Sequence, residues 1–305
     1  MNTSVAGRLA RFGLEKPTLI GMSAVVMWSG TVGLYRGVSQ AFGAVGGSAL
    51  IFTVSALIAL VWAGPQAFKG MSVRYGLIGG ALFITYEIAL ALAVGYANGD
   101  QQALEVGTVN YLWPSFTIAL TVGLGIDKAD WRMLPGLGLS LFGVIWVSSG
   151  EGGISLSHLV ANVIANPWAY GLALVAAIVW PVYTLVTRRF SGGINAVPLF
   201  LAATAVALWI KYAMTDQPAM RFDPDGALMV VAFGVLTTAA YSAWNHGVLH
   251  GNLTLMATAS YFAPVLSVLS SSVILAILPG VNFWIGALLV TFGSLTCWSS
   301  TRAKG

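Results

Sequence analysis

The sequence is poor in charge. Of its 305 residues 8% are Asp, Glu, Lys or Arg, whereas 57% are hydrophobic. A soluble domain carries about a quarter charged residues, so a soluble fold of this composition would leave most of its surface apolar. The chain reads as an all-α integral membrane protein. Its one cysteine, Cys297, excludes a disulfide framework and a cysteine cluster for metal, and reads as a small buried hydrophobe. Walker and Rossmann sequences are absent, so no nucleotide, cofactor or primary pump is encoded. An H-E-x-x-H motif and paired intramembrane aspartates are absent too. An intramembrane enzyme would have to assemble its groups across the fold, and stands as the disfavoured alternative.

What is present is a series of ten apolar runs close to the roughly 20 residues that cross a bilayer as a helix. They cover 17–35, 43–63, 75–98, 102–125, 132–149, 167–187, 195–214, 226–248, 252–277 and 282–300. The short alternating segments of a β-barrel do not occur. Residues 1–16 form a basic leader to a span of ordinary length, which reads as a retained first helix. The polar, turn-rich stretch 151–166 reads as a loop between two halves, 17–150 and 167–300, and 301–305 as a tail.

Basic residues set the orientation. With the N-terminus in the cytoplasm, that side holds Arg8, Arg11, Lys16, Lys69, Arg74, Lys128, Arg132, Arg188, Arg189, Arg302 and Lys304, eleven of fourteen Lys and Arg. The other side keeps Arg36, Lys211 and Arg221. This bias places both termini in the cytoplasm. The net charge of +4 follows from it and implies no nucleic-acid partner.

The two halves repeat. Thr108, Tyr111 and Pro114 of EVGTVNYLWPSF match Thr258, Tyr261 and Pro264 of LMATASYFAPVL, and Phe142-Gly143 matches Phe292-Gly293, all at an offset of 150. At an offset of 152, Trp28 and Arg36 match Trp180 and Arg188. Five spans per half force opposite orientations, so the repeat is inverted. Inverted repeats are a recurrent plan of secondary transporters, with the substrate site near the midplane between halves.

Ten spans in two such repeats, with Y-x-x-P on the fourth helix of each and a Trp midway along the first, resemble the drug/metabolite transporter superfamily in its EamA-type branch. The run QALEVGTVNYLWPSFTIAL, 102–120, is similar to bacterial exporters of aromatic amino acids within that branch. The resemblance implies export of aromatic and other apolar amino acids across a bacterial inner membrane by alternating access, with lipid as surroundings and a small molecule as partner. An organic cation or other metabolite is the alternative substrate.

Several side chains sit too deep for an interfacial role. Trp28, Tyr86, Trp113, Trp180, Tyr183 and Tyr241 fall inside their spans, where aromatic faces suit amphipathic organic molecules and cationic groups. Any one of them could instead pack against lipid or neighbouring helices. Glu87 lies mid-span, where a carboxylate must face the bundle interior, be paired or be neutral. It is either a structural hydrogen-bonding group, a contact for an ammonium group or a proton-coupling site. Tyr111, with Thr108 and Pro114, lies along one broad helix face, and Tyr261 is its counterpart. His246 has no Cys, Asp or Glu at ligand spacing, so it reads as a satisfied interior histidine or a polar substrate contact, and no metal site is expected. These residues are expected to line a central cavity. Pro114, Pro181 and Pro264 are expected to kink their helices.

Overall fold

The computed structural model describes residues 15–65, 69–126, 128–147, 156–251, 256 and 259–302. Residues 1–14 of the leader, 148–155 of the inter-half stretch, Thr258 and 303–305 lie outside the described residues. Thirteen helices and no strand occur among those described: α1 Lys16–Ser29, α2 Thr31–Phe42, α3 Ala44–Ala63, α4 Val73–Gly95, α5 Asp100–Asn110, α6 Trp113–Gly123, α7 Met133–Val147, α8 Leu156–Ala165, α9 Pro167–Phe190, α10 Val197–Met214, α11 Pro224–His250, α12 Ala263–Ile274 and α13 Val281–Arg302. Of these, α3, α4, α9, α10, α11 and α13 are long and apolar enough to cross a membrane, and α1 with α2 forms a seventh such unit bent by 41°.

Local chemistry sets many helix starts. Ser72 accepts from Tyr75 N at 3.2 Å, Asn166 from Ala169 N at 3.3 Å and Asp223 from Gly226 N at 2.6 Å. Each satisfies a first-turn donor that has no helical partner. Pro167 and Pro224 follow two of these caps, where a missing N–H costs nothing. Between α2 and α3 the backbone reverses at Gly43, whose φ of 72° is the conformation glycine tolerates best.

Three sequence readings need correction. The first run, read as ending at residue 35, continues to Phe42 because Arg36 is paired: its Nε lies 2.7 Å from Asp100 and its Nη1 donates to Ala97 O at 3.0 Å. The stretch 151–166, read as loop, contains the helix α8. The fourth run is broken at Tyr111–Leu112, and Pro114 lies in the first turn of α6 instead of kinking a continuous helix. Leu112 N donates to Val109 O at 3.1 Å, a tight turn that ends α5, and Phe116 N returns to Leu112 O at 3.0 Å. Pro264 is placed likewise in the first turn of α12, where Phe262 N donates to Ala259 O and Leu266 N to Phe262 O, both at 3.1 Å. Pro181 does lie inside α9, which continues past it to Phe190.

The helices pack most extensively in the pairs α1 with α11, α4 with α9, α3 with α10, and α7 with α13. The last pair is held close by glycine. A Cβ on Gly143 would lie 2.8 Å from Gly286 O, and one on Gly136 2.9 Å from Gly293 O. Close backbone approach of this kind drives helix association in membranes, where burial of apolar surface from water is not available. At the same interface Ser115 and Ser140 hydroxyls pair at 2.8 Å, and Ser115 and Ser294 at 3.0 Å.

Candidate functional site

Trp180 of α9 stands at the centre of an aromatic cluster drawn from both halves of the chain. Its ring centroid lies 6.2 Å from that of Trp28, 4.5 Å from Tyr86, 6.4 Å from Trp113 and 5.4 Å from Tyr183. Trp28 extends the cluster to Tyr241 at 5.4 Å and Trp244 at 5.2 Å. Six of the ten residues expected to line a cavity are therefore brought together by α1, α4, α6, α9 and α11. Trp28, Tyr86, Trp113 and Trp180 are half-buried, so each keeps part of a ring free, whereas Tyr183 and Tyr241 are buried.

Beneath the cluster lies Glu87, 5% exposed. The hydroxyl of Tyr241 donates to its Oε1, and the hydroxyl of Tyr35 lies 3.5 Å from its Oε2. A carboxyl in this setting needs such donors, since an unpaired charge in the apolar interior is costly. The Tyr241 side of the pair borders a crevice of about 160 Å³ between α3, α10 and α11, lined in part by Ala59, Trp62, Leu201, Thr238 and Ser242.

The remaining expected residues lie elsewhere. Tyr111 is buried at the α5–α6 break. Tyr261 sits in a separate apolar group with Ile118 and Cys297, its ring 6.2 Å from Trp298. His246 is exposed and stacks on His250 at 4.8 Å, one helical turn away, without joining the aromatic cluster.

Sequence reasoning missed two groups. Tyr35 was placed at a span end, and only the continuation of the helix past Arg36 brings it to Glu87. Glu105 of α5 forms a second buried carboxyl site, receiving the Tyr170 hydroxyl of α9 and the Asn162 amide of α8 at 3.3 Å. Beside it the Asn166 amide donates to Tyr96 O at 2.8 Å and Gln102 Oε1 at 2.7 Å. The signal for this second group was Asn162 and Asn166 in the stretch 151–166, which was read as a loop. Among the described residues no three of His, Cys, Asp and Glu come together as metal ligands would.

The sequence profile of the EamA-like transporter family matches residues 167–298. The aromatic amino acid exporter YddG of Salmonella typhimurium is 43% identical over 290 residues, covering 95% of this chain and 99% of the relative. The protein of the same name from Escherichia coli is 43% identical over 288 residues, covering 94% and 98%. That of Ancylobacter novellus is 28% identical over 265 residues, covering 83% and 86%. A solved crystal structure at 23% identity superposes with a TM-score of 0.70 over 95% of this chain and 99% of its own, which shows a shared fold.

Proposed function

The chain belongs to the EamA-like transporter family, and from that premise we propose that it exports aromatic and other apolar amino acids across a bacterial inner membrane. The observation that carries this reading is the aromatic cluster around Trp180, with half-free ring faces above a buried carboxyl. Such faces stack on aromatic side chains and attract an ammonium group. The relatives of nearly equal length, named as aromatic amino acid exporters, support the same substrate class.

The proposed architecture is ten spans in two inverted five-helix repeats, 17–150 and 167–300, with both termini cytoplasmic. Two features of the packing favour it. An offset of about 150 residues turns the α1–α11 pair into the α9–α4 pair and leaves α3–α10 and α7–α13 as pairs of counterparts. The same offset exchanges the Gly136–Gly293 and Gly143–Gly286 contacts. Two halves so related can exchange conformations, which is the basis of alternating access. Trp28, Tyr86, Glu87, Trp113, Trp180, Tyr183 and Tyr241 are the proposed substrate-facing set.

The test is flux of labelled phenylalanine and tryptophan into proteoliposomes containing the purified full chain. Saturable flux of both is expected. Absence of both, with flux of an unrelated solute, would overturn the assignment. Glu87 and the aromatic faces also suit an organic cation, and competition of a quaternary ammonium compound with phenylalanine for the same flux separates that reading.

A further inference from the structure

We infer that the side-chain oxygen of Asn110 is the acceptor for the protonated amine of the transported amino acid, which makes Asn110 a residue that determines specificity for α-amino acids over their des-amino analogues. The inference rests on the export reading above and adds the group that recognises the amine.

Asn110 is the last residue of α5, is 4% exposed, and its Oδ1 is buried without a hydrogen-bond partner. Buried amide oxygens are rarely left so, because the lost hydration is not repaid. Among the described residues the other unpaired buried atoms are the hydroxyls of Ser271 and Thr291. A hydroxyl in a helix can rotate to the carbonyl one turn back, whereas an amide oxygen is only an acceptor and needs a donor from elsewhere. Three residues further on, Trp113 joins the aromatic cluster, its ring 6.4 Å from that of Trp180. The orphan oxygen therefore belongs to the residue that leads into the cluster across the α5–α6 break.

A donor there is favoured to be a cation. The chain breaks directly after Asn110, at Tyr111–Leu112, so the C-terminal end of a half-helix, with its partial negative charge, points into the bundle. Glu87, next in sequence to Tyr86, already has both its oxygens facing tyrosine hydroxyls. Asn110 therefore offers the free acceptor. The second half supplies no equivalent: Ser260, the counterpart at an offset of 150, donates to Met256 O at 3.1 Å in its own helix. A single amine site is what a single amino acid requires.

The test is calorimetric binding of L-phenylalanine and of 3-phenylpropionate, which lacks the amine, to the solubilised full chain and to Asn110→Leu and Asn110→Asp. A hydrogen bond to a charged group corresponds to about a tenfold to hundredfold preference. The unaltered chain is expected to prefer phenylalanine by that factor, Asn110→Asp to keep the preference, and Asn110→Leu to lose it by binding phenylalanine more weakly with 3-phenylpropionate unchanged. If the leucine variant does not fold, Asn110→Ser takes its place with the same loss expected, because a serine bonds back to its own helix. A leucine or serine variant that keeps the preference would overturn the inference while leaving the export reading intact. No phenylalanine binding by the unaltered chain would fell the export reading itself.

Discussion

The indole rings of Trp28 and Trp180, 152 positions apart in the sequence, meet edge to face with centroids 6.2 Å apart and planes at 77°. Trp28 is the next-to-last residue of α1, at the bend into α2, and Trp180 lies midway along α9, so motion of α1 against α9 must alter this contact. Trp180 also touches Tyr86, Trp113 and Tyr183. Each such pair is worth about 0.5–1.5 kcal/mol beyond area burial. Trp180→Ala is expected to raise the KM for tryptophan and phenylalanine by roughly tenfold or more, and Trp180→Phe by less. Proteoliposome flux checks this, and an unchanged KM in the alanine variant would remove Trp180 from the substrate path.

Glu87 and Tyr241 form the second testable pair. Tyr241→Phe leaves the buried carboxyl with only the long contact to Tyr35, a loss of about 1.5–3 kcal/mol by the usual cost of a charge-assisted bond. In a Glu87→Gln background the same change should cost less, because the strong acceptor is already gone. Thermal unfolding of the four proteins in detergent gives the coupling. Strictly additive losses would mean that the two side chains do not act on one another.

Glu87→Gln also separates roles in transport. If the carboxyl meets substrate or carries a proton, the variant lowers flux or flattens its response to an imposed pH gradient. Rate and pH profile both unchanged would leave Glu87 with a structural role alone.

The sequence showed the membrane class and most of the aromatic cluster, because hydropathy runs and mid-span position depend on local composition. Trp28, Tyr86, Trp113, Trp180, Tyr183 and Tyr241 were found that way and meet in space. What was illegible depends on partners distant in sequence. Arg36 looks like a span end until Asp100, 64 residues away, is seen to pair with it. The same holds for Tyr35, which reaches Glu87 only because that helix goes on. Pro114 and Pro264 read as kinks because spacing alone cannot distinguish a mid-helix proline from one in a first turn. His246 and Tyr261 share the polar or aromatic character of the cluster residues, but helix rotation, which residue type does not fix, turns them elsewhere.

The tie between α8 and the bundle predicts a local effect. A ten-residue helix is marginal by itself, and α8 is joined to α5 through Asn162 and Glu105. Glu105→Ala should accelerate amide hydrogen exchange across Leu156–Ala165 while leaving α7 and α13 protected. Uniform exchange in α8 before and after the change would show that the helix is held by other contacts.

The tightest packing gives the clearest stability prediction, with a control on one of the same two helices but off their interface. A Cβ on Gly286 would fall 2.1 Å from Val147 Cγ2 and 2.8 Å from Gly143 O, so the neighbour that must yield includes backbone. Gly138, on the same helix as Gly143, has no atom within 4 Å of its Cβ position. Gly286→Ala should therefore separate α7 from α13 and destabilise the protein by about 1–3 kcal/mol, the usual range for overpacking. Gly138→Ala should be neutral or slightly stabilising, since alanine is the better helix former. Thermal unfolding of both variants in one detergent decides the matter. Equal midpoints for the two would mean that the glycines of α7 and α13 serve something other than close approach, and the exchange of the Gly136–Gly293 and Gly143–Gly286 contacts would lose its structural meaning.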